Sequence, residues 1–281
     1  MLFNTSVIEV IQNRYSCRSY RGEFIENKIK EKLLNFISGL KNAPFGSMAR
    51  FHILEVALPE KTRMPGTYGI IKGAKNFIVG AIERGDKYLE DFGYLFETII
   101  LSATEIGLGT CWMGASFKRN FFADKIKLTP KEILPAICPV GYIASKRSIV
   151  DYMMYLGSRP RNRKPWENLF FNKNFKTPLS KNEAGEYSIP LEMVRLAPSA
   201  VNNQPWRIVK EKNCFHFFLQ RAMGYDRIFR SADLQRIDMG IAMRHFDLTS
   251  KELNLKGKWE IMDMDIGHFP QRTEYLISWI S

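Results

Sequence analysis

Apolar residues recur along this chain with a helical period in some stretches and as short continuous runs in others. The helical spacing predicts a first helix that begins at the capping pair Ser6 and Glu9. It predicts a second helix that is capped by Asn27 and ends before Pro44. A third, long helix is predicted over 88–109. Because its apolar positions cover more than one stripe, we expect it to be deeply buried.

Apolar runs predict strands over 51–57, 75–82 and 133–144, and the run at 75–82 is apolar enough for a central strand. The order of elements then repeats. Residues 40–56 and 194–211 each predict the end of a helix, an Ala-Pro step, a small polar loop and a strand. Helix–strand alternation is common, so the order alone is compatible with either an internal duplication or chance.

The second copy continues with a predicted strand over 214–219, a helix over 234–259 and a final strand over 258–266. Between the copies the chain is polar, basic and rich in Pro, Asn and Lys, which is typical of a linker. The pattern therefore predicts two related halves and a basic linker: 1–144, 186–281 and 145–185 respectively.

Composition narrows the class of protein. The chain has 281 residues, 45% of them hydrophobic and 13% aromatic, which indicates a globular protein. No run approaches the roughly 18 apolar residues of a membrane span, and the first residues do not resemble a secretory signal. Four scattered cysteines form no paired motif, so we expect reduced thiols and a cytoplasmic protein: Cys17, Cys111, Cys138 and Cys214.

The net charge is +12, and its densest cluster lies within 145–164. A basic chain can bind nucleic acid, a membrane surface or an anionic ligand. No zinc finger, basic zipper or RNP-like aromatic run accompanies the cluster, so we expect no nucleic-acid partner. The surplus charge is better matched to a phosphorylated small molecule.

Two segments carry the candidate chemistry. In RYSCRSY (14–20), Arg14, Ser16 and Arg18 alternate, which places two forked donors and a hydroxyl on one side of an extended chain. Such a face suits a phosphate, although a solvated basic turn has the same composition. In APSAVNNQPW (197–206), Pro198 ends a helix, and short polar side chains hold tight backbone turns. An ordinary helix-to-strand loop would look similar.

Two weaker segments point the same way. GLGTCWMGAS (107–116) leaves the long helix through glycines that allow backbone N–H groups to approach a planar ring. Each of these residues is also typical of a cap or a core. In SRPRNRK (158–164), Arg161 and Arg163 alternate, as they also could in a solvated linker.

On these segments the chain resembles the nitroreductase-like superfamily of FMN flavoproteins, in particular the single-chain "putative TM nitroreductase" branch with an internal pseudo-dimer. The resemblance covers about residues 5–265. It implies an α+β fold, described as three-layer α/β/α, in which two half-repeats form a fused pseudo-dimer.

The resemblance also implies the site residues. Those expected at the FMN phosphate and ribityl chain are Arg14, Ser16 and Arg18, with Arg161 and Arg163 closing over the phosphate. Those expected at the flavin ring are Trp112, Met113 and Gly114, with Pro198, Ser199 and Asn202 from the opposing half.

The chain also departs from the family pattern. The first half has only APFG (43–46) where an intact loop would have the longer motif, and the second half has no Arg-x-Ser-x-Arg before Ser188. Each half retains one piece of the site. The sequence therefore predicts one FMN per chain and no need for a second chain, so a monomer is possible.

The resemblance implies an oxidoreductase that passes hydride from NADH or NADPH through flavin N5 to a small-molecule electron acceptor. Nitroaromatics, quinones and free flavin are all compatible acceptors. Lys72 is a candidate for the positive group near the N1–C2 edge of the ring. We assign no general acid, and no metal site, because the four histidines form neither a triad nor a metal cluster. The alternative is a non-catalytic protein that binds or stores flavin.

Overall fold

The computed structural model describes residues 2–40, 43–56, 70–146, 151–153, 163–222, 232–263 and 269–281. Its helices are α1 (Val7–Asn13), α2 (Asn27–Gly39), α3 (Tyr88–Glu105), α4 (Arg119–Lys125), α5 (Lys181–Ala184), α6 (Ser188–Leu196) and α7 (Leu234–Glu252). Its strands are β1 (Ala49–Glu55), β2 (Asn76–Glu83), β3 (Gly109–Thr110), β4 (Glu132–Ile133), β5 (Ile137–Gly141), β6 (Phe170–Asn172), β7 (Trp206–Glu211), β8 (Cys214–Gln220), β9 (Lys258–Glu260) and β10 (Thr273–Ile280).

The strands form two sheets, the first from the first half of the chain and the second from the second half together with β6 of the predicted linker. The first has the order β1-β2-β5-β3, with β4 also paired to β2, and the second has the order β6-β7-β8-β10-β9. All pairs are antiparallel except β6 with β7. Strand β2 is buried from Asn76 to Ile82, as the apolar run predicted. None of the described helices is long and apolar enough to cross a membrane.

Helices α3 and α7 pack against each other and join the two halves. Their backbones meet at two glycines. A Cβ atom on Gly93 would lie 2.1 Å from the carbonyl oxygen of Ile237, and one on Gly240 would lie 1.9 Å from that of Glu90. The contact is reciprocal, because each glycine faces the residue three positions before the other glycine. A reciprocal contact of this kind is what a twofold interface produces, here within a single chain.

Most of the predicted elements are confirmed. Ser6 caps α1 by accepting a hydrogen bond from the Glu9 N–H at 3.4 Å. Helix α3 is buried on every side from Leu89 to Ala103. The capping role predicted for Asn27 is wrong, because Asn27 is already inside α2 and its N-cap, Glu26, makes no side-chain cap bond.

The strand predicted over 258–266 is confirmed at its start, since β9 begins at Lys258, but β9 ends at Glu260 and residues 264–266 lie outside the described residues. Its prediction as the final strand is wrong, because β10 follows it and lies between β8 and β9. The predicted linker contains structure where it is described. Strand β6 runs parallel to β7, and α5 carries a full capping box formed by Ser180 and Glu183. The division into halves at 144 and 186 stays a prediction.

Candidate functional site

A cavity of about 870 Å³ lies where the two halves meet. The first half lines it with the end of α1, the extended segment after α1 and the loop after β3. The second half lines it with the end of α6, the loop after α6 and one face of α7. That face has helical spacing, with Leu234, Ile237, Asp238 and Ile241 turned toward the cavity.

The segment after α1 is extended, as the alternation predicted. Arg14, Ser16 and Arg18 line the cavity, and so does Tyr15 between the first two, while Cys17 and Ser19 are buried on the other side of the segment. The segment is fixed to the sheet because the Cys17 N–H donates to the Thr110 carbonyl at 2.8 Å. These residues therefore reach the cavity from a rigid support.

Arg14 is the least satisfied cation of the site. Its side chain is 5% exposed, and its Nε and Nη1 groups have no hydrogen-bond partner among the described residues. Its nearest carboxylate oxygen is Glu97 Oε1, at 3.9 Å from Nε, which is beyond hydrogen-bond distance. Since buried donors are nearly always paired, these N–H groups are suited to an anionic ligand in the cavity.

Arg163 approaches from the opposite side. It donates to Asn202 Oδ1 and, at 2.7 Å, to the Leu196 carbonyl, while its Nε group is buried without a partner. Burial lowers the pKa of Arg163 to about 10, and the nearby charges of Arg14 and Arg195 act in the same direction. Arg14 and Arg195 each lie close enough to Arg163 to repel its charge, and an anion bound beside Arg163 would relieve this repulsion.

The loop after α6 has an unusual backbone. Val201, Asn202 and Gln204 have φ values of 48°, 57° and 48°, in the left-handed region. This conformation is uncommon for residues other than glycine and is unfavourable for a β-branched residue such as Val201. The surrounding structure holds it. The Gln204 N–H donates to Ser199 Oγ at 2.9 Å, and the Lys164 N–H donates to Gln204 Oε1 at 2.9 Å.

The loop after β3 is positioned by buried polar contacts. Trp112 Nε1 donates to Glu97 Oε2 at 2.6 Å, and the other oxygen of that carboxylate lies 2.9 Å from His245 Nε2. The N–H of Met113 donates to the Ile137 carbonyl at 2.9 Å, so that group is not free for a ligand.

A Cβ atom on Gly114 would lie 2.5 Å from a methyl carbon of Leu234, so the glycine allows the loop to approach α7. Gly107 has φ +82°, the left-handed conformation that glycine often adopts after a helix C-terminus, whereas Gly109 lies in β3.

The structure brings nearly all the predicted site residues to one cavity. Those that line it are Arg14, Ser16, Arg18, Trp112, Met113, Gly114, Arg163, Pro198, Ser199 and Asn202. Lys72 does not: it is exposed and is absent from the cavity wall, although its backbone pairs with that of Tyr20. Arg161 lies outside the described residues.

Sequence reasoning missed two charged residues of the cavity, Arg195 and Asp238. Arg195 forms an ion pair with Glu192 at 2.5 Å on the same helix. In the sequence these two residues look like an ordinary surface ion pair, so they do not indicate that Arg195 lines a cavity. Asp238 is 3% exposed. The available signal was an acidic residue between Ile237 and Ile241 on a helical face, because such a face is otherwise apolar.

Asp238 has only one hydrogen-bond donor among the described residues. Its Oδ1 and Oδ2 lie 3.0 Å and 3.2 Å from the same N–H, that of Ala200. Burial raises its pKa well above the ordinary value for an aspartate, and the single backbone hydrogen bond lowers it by less. A buried carboxyl group of this kind favours its protonated form.

The histidines do not form a catalytic or metal centre where the structure describes them. His245 bridges Met193 and Glu97, His216 lies 2.7 Å from Ser278 Oγ, and His52 contacts Arg50. His268 is outside the described residues. The described part of the chain has no cluster of His, Cys, Asp or Glu suited to a metal ion, and its cysteines are free. The cavity wall instead combines cations with apolar residues. This combination suits a ligand that carries both a phosphate and a planar ring.

Comparison with known proteins identifies the family of the chain and solved structures that resemble it. A family model described as "Putative TM nitroreductase" matches residues 6–250. The crystal structure of a putative nitroreductase from Thermotoga maritima has a TM-score of 0.62 and 20% identity, and the match covers 98% of this chain and 94% of that chain. This likeness confirms the predicted fold. None of the curated proteins matches the sequence significantly.

Two further solved structures are similar to about half of the chain. An FMN-dependent nitroreductase from Clostridium difficile is 20% identical with a TM-score of 0.42, covering 50% of this chain and 90% of that chain. A nitroreductase with bound FMN from Bacteroides fragilis is 14% identical with a TM-score of 0.42, covering 52% of this chain and 92% of that chain.

Proposed function

The chain belongs to the "Putative TM nitroreductase" family, and from this premise we propose that it is an FMN-dependent oxidoreductase. In this proposal it takes hydride from NADH or NADPH and reduces a small aromatic or quinone-type acceptor. FMN, when bound, supplies the electron chemistry, and the protein supplies binding, orientation and electrostatics.

The observation that carries the proposal is the buried guanidinium of Arg14 at the wall of the cavity between the halves, because its Nε and Nη1 groups have no hydrogen-bond partner among the described residues. A phosphate supplies two or three acceptor oxygens to such a group, and its charge offsets the repulsion between Arg14 and Arg163. Arg18 and the Ser16 hydroxyl extend the same polar face toward the ribityl chain.

The ring is expected at the other end of the cavity, against Trp112 and the apolar face of α7. Because the Met113 N–H is used in the sheet, we assign contact with flavin N5 to the N–H of Gly114 instead. The loop containing Ser199 and Asn202 approaches from the second half. Each half thus contributes one part of a single site, and we infer one FMN per chain.

Absorbance spectroscopy of the purified protein tests this first. We expect a flavin spectrum and, after denaturation, about one FMN released per chain. Anaerobic titration with NADH and NADPH should then bleach the flavin, and addition of a quinone or nitroaromatic should restore it. Bound FMN that neither nucleotide reduces would mean a flavin-binding protein without turnover. A protein that does not take up added FMN would overturn the proposal.

A further inference from the structure

Asp238 stands out among the residues that line the cavity. It is the acidic residue in a wall that carries Arg14, Arg18, Arg163 and Arg195. Yet it forms no ion pair with any described residue, and its carboxyl group contacts a single N–H. A buried carboxylate normally accepts hydrogen bonds from several donors or pairs with a cation. The environment of Asp238 therefore stabilises the ionised carboxylate poorly.

The first half of the chain contains a counterpart with a different environment. Asp91 occupies in α3 the position that Asp238 occupies in α7, two residues before the glycine of the helix crossing. Asp91 also binds the loop after the preceding Ala-Pro step. Its Oδ1 accepts from the Phe45 N–H at 3.0 Å, and its Oδ2 accepts from the Ser47 N–H at 2.8 Å. Each oxygen of Asp91 therefore has its own donor, and Asp91 does not line the cavity.

The turn after α6 uses several of its N–H groups internally. The Asn202 N–H donates to the Ser199 carbonyl at 3.0 Å, and the Gln204 N–H donates to Ser199 Oγ at 2.9 Å. These N–H groups are directed into the loop instead of toward α7. Asp238 shares the one N–H of Ala200 between its two oxygens, whereas Asp91 has two donors.

The protonation state follows from these contacts. Burial raises the pKa of Asp238 well above its ordinary value, with Asp233 at the start of α7 adding in the same direction. The cavity arginines are the other charged groups that face it, and none of the described ones is within ion-pair distance. A protonated Asp238 has an O–H to donate, and the residue lines the cavity. A ligand in the cavity can therefore accept a hydrogen bond from this O–H.

We propose that the carboxyl group of Asp238 is the catalytic acid that gives a proton to the acceptor when the acceptor receives hydride. This proposal rests on the proposed function. Reduction of a quinone-type acceptor by NADH or NADPH consumes one hydride and one proton. The O–H bond of Asp238 breaks as a new O–H bond forms on the acceptor oxygen, and the carboxylate regains its proton from water.

The test separates the two half-reactions in the FMN-loaded protein. In Asp238→Asn, reduction of the flavin by NADPH should keep its rate, while reoxidation by a benzoquinone should slow roughly 10²- to 10⁴-fold. The amide oxygen still accepts from Ala200, so the loop is retained. In the unaltered protein, reoxidation should be constant at low pH and should slow as the pH rises through the raised pKa, because the proton donor is lost. Asp238→Asn should lack that limb.

Asp91→Asn is the matched control, because it alters the equivalent loop contact away from the cavity and should leave both half-reactions unchanged. Infrared spectra give a readout without turnover. The carbonyl band of a protonated carboxyl that Asp238→Asn removes should shift when FMN and an unreactive acceptor analogue bind. Should Asp238→Asn fail to fold, Asp238→Glu should move the same band.

Equal slowing of both half-reactions, an unchanged pH profile in Asp238→Asn, or no carboxyl band assigned to Asp238 would overturn the proposal. Failure of the proposed function looks different: the unaltered protein would then bind no FMN or would not be reduced by either nucleotide. In that case the infrared band still reports whether Asp238 is protonated, and its absence would overturn the inference independently.

Discussion

Arg14 shows how one side chain can decide whether a cavity binds a ligand. Folding has removed its guanidinium from water without giving Nε and Nη1 a partner. That cost is recovered only if a ligand supplies acceptors. Hydrogen bonds to charged groups contribute roughly 1.5–3 kcal/mol each.

Arg14→Gln should therefore weaken FMN binding by about 10- to 100-fold in Kd, since about 1.4 kcal/mol corresponds to a factor of ten. Fluorescence titration of the apoprotein with FMN measures the change. Lys72→Met is the control, because it removes a cation that is exposed and lies outside the cavity wall. If Lys72→Met weakened binding as much as Arg14→Gln, the effect would come from net charge and not from the site.

Val201 has a backbone conformation that is unfavourable in the absence of a ligand. It is β-branched, has φ 48° and is 70% exposed, so its side chain gains little from packing. A left-handed backbone costs roughly 1–2 kcal/mol for an ordinary residue, whereas asparagine adopts it readily.

Val201→Asn should therefore stabilise the protein by about 1 kcal/mol, which is a rise of roughly 2–4 °C in Tm for a chain of this size. Differential scanning fluorimetry measures the shift. Val201→Ile keeps the β-branch and should leave Tm unchanged. A lower Tm for Val201→Asn would show that the valine side chain is packed and that the turn is not strained.

The residue scale also marks the limit of prediction from sequence. Alternation in an extended segment is sufficient to predict that Arg14, Ser16 and Arg18 share one face, because the period of such a segment is fixed at two. Asp238 needed a different signal, namely an acidic residue on the otherwise apolar face of α7. That signal does not show burial, which follows only from the packing of α7 against α3.

At the scale of elements, the crossing of α3 and α7 depends on two residues without side chains. Overpacking in a close-packed interior typically costs about 1–3 kcal/mol. Here the added methyl group would meet backbone atoms, which cannot rotate away. Gly93 faces the Ile237 carbonyl in this manner, and Gly240 faces that of Glu90.

Gly93→Ala should therefore lower the free energy of unfolding by about 3 kcal/mol or prevent folding, and Gly240→Ala should do the same. Urea denaturation followed by circular dichroism measures this. Gly39→Ala, at the end of α2, meets nothing within 4 Å and should be neutral or slightly stabilising. A small effect at Gly93 would mean that the two helices can separate without loss of the fold.

The elements also show which signals a sequence carries. Helix α3 and strand β2 were predictable because their apolar patterns differ. A buried helix is a long stretch with the helical period, whereas a buried strand is a short continuous apolar run. Strand β10 was not predicted, although its residues form a short apolar run like that of β2. It is internal to its sheet and is buried from Leu276 to Trp279. Its pairing with β8 and β9 can be seen only in three dimensions.

For the whole molecule, the α3–α7 contact and the cavity join the same two halves. Arg14 reaches the cavity from the first half, and Asn202 reaches it from the second. A ligand that contacts both halves binds only the state in which they are docked. Ligand binding to the folded state alone adds about 2.7 kcal/mol of stability at a free concentration of about 100 times Kd.

We therefore expect calorimetry to show a single unfolding transition whose Tm rises as FMN is added, because neither half can unfold while the other holds the cofactor. Arg14→Gln should reduce the rise at any given FMN concentration, and Gly39→Ala should leave it intact. Two transitions, of which FMN moves only one, would mean that the site belongs to one half and that the other half merely packs against it. One transition shifted by FMN would instead make the two halves a single cooperative unit held together by the helix crossing and by the cofactor.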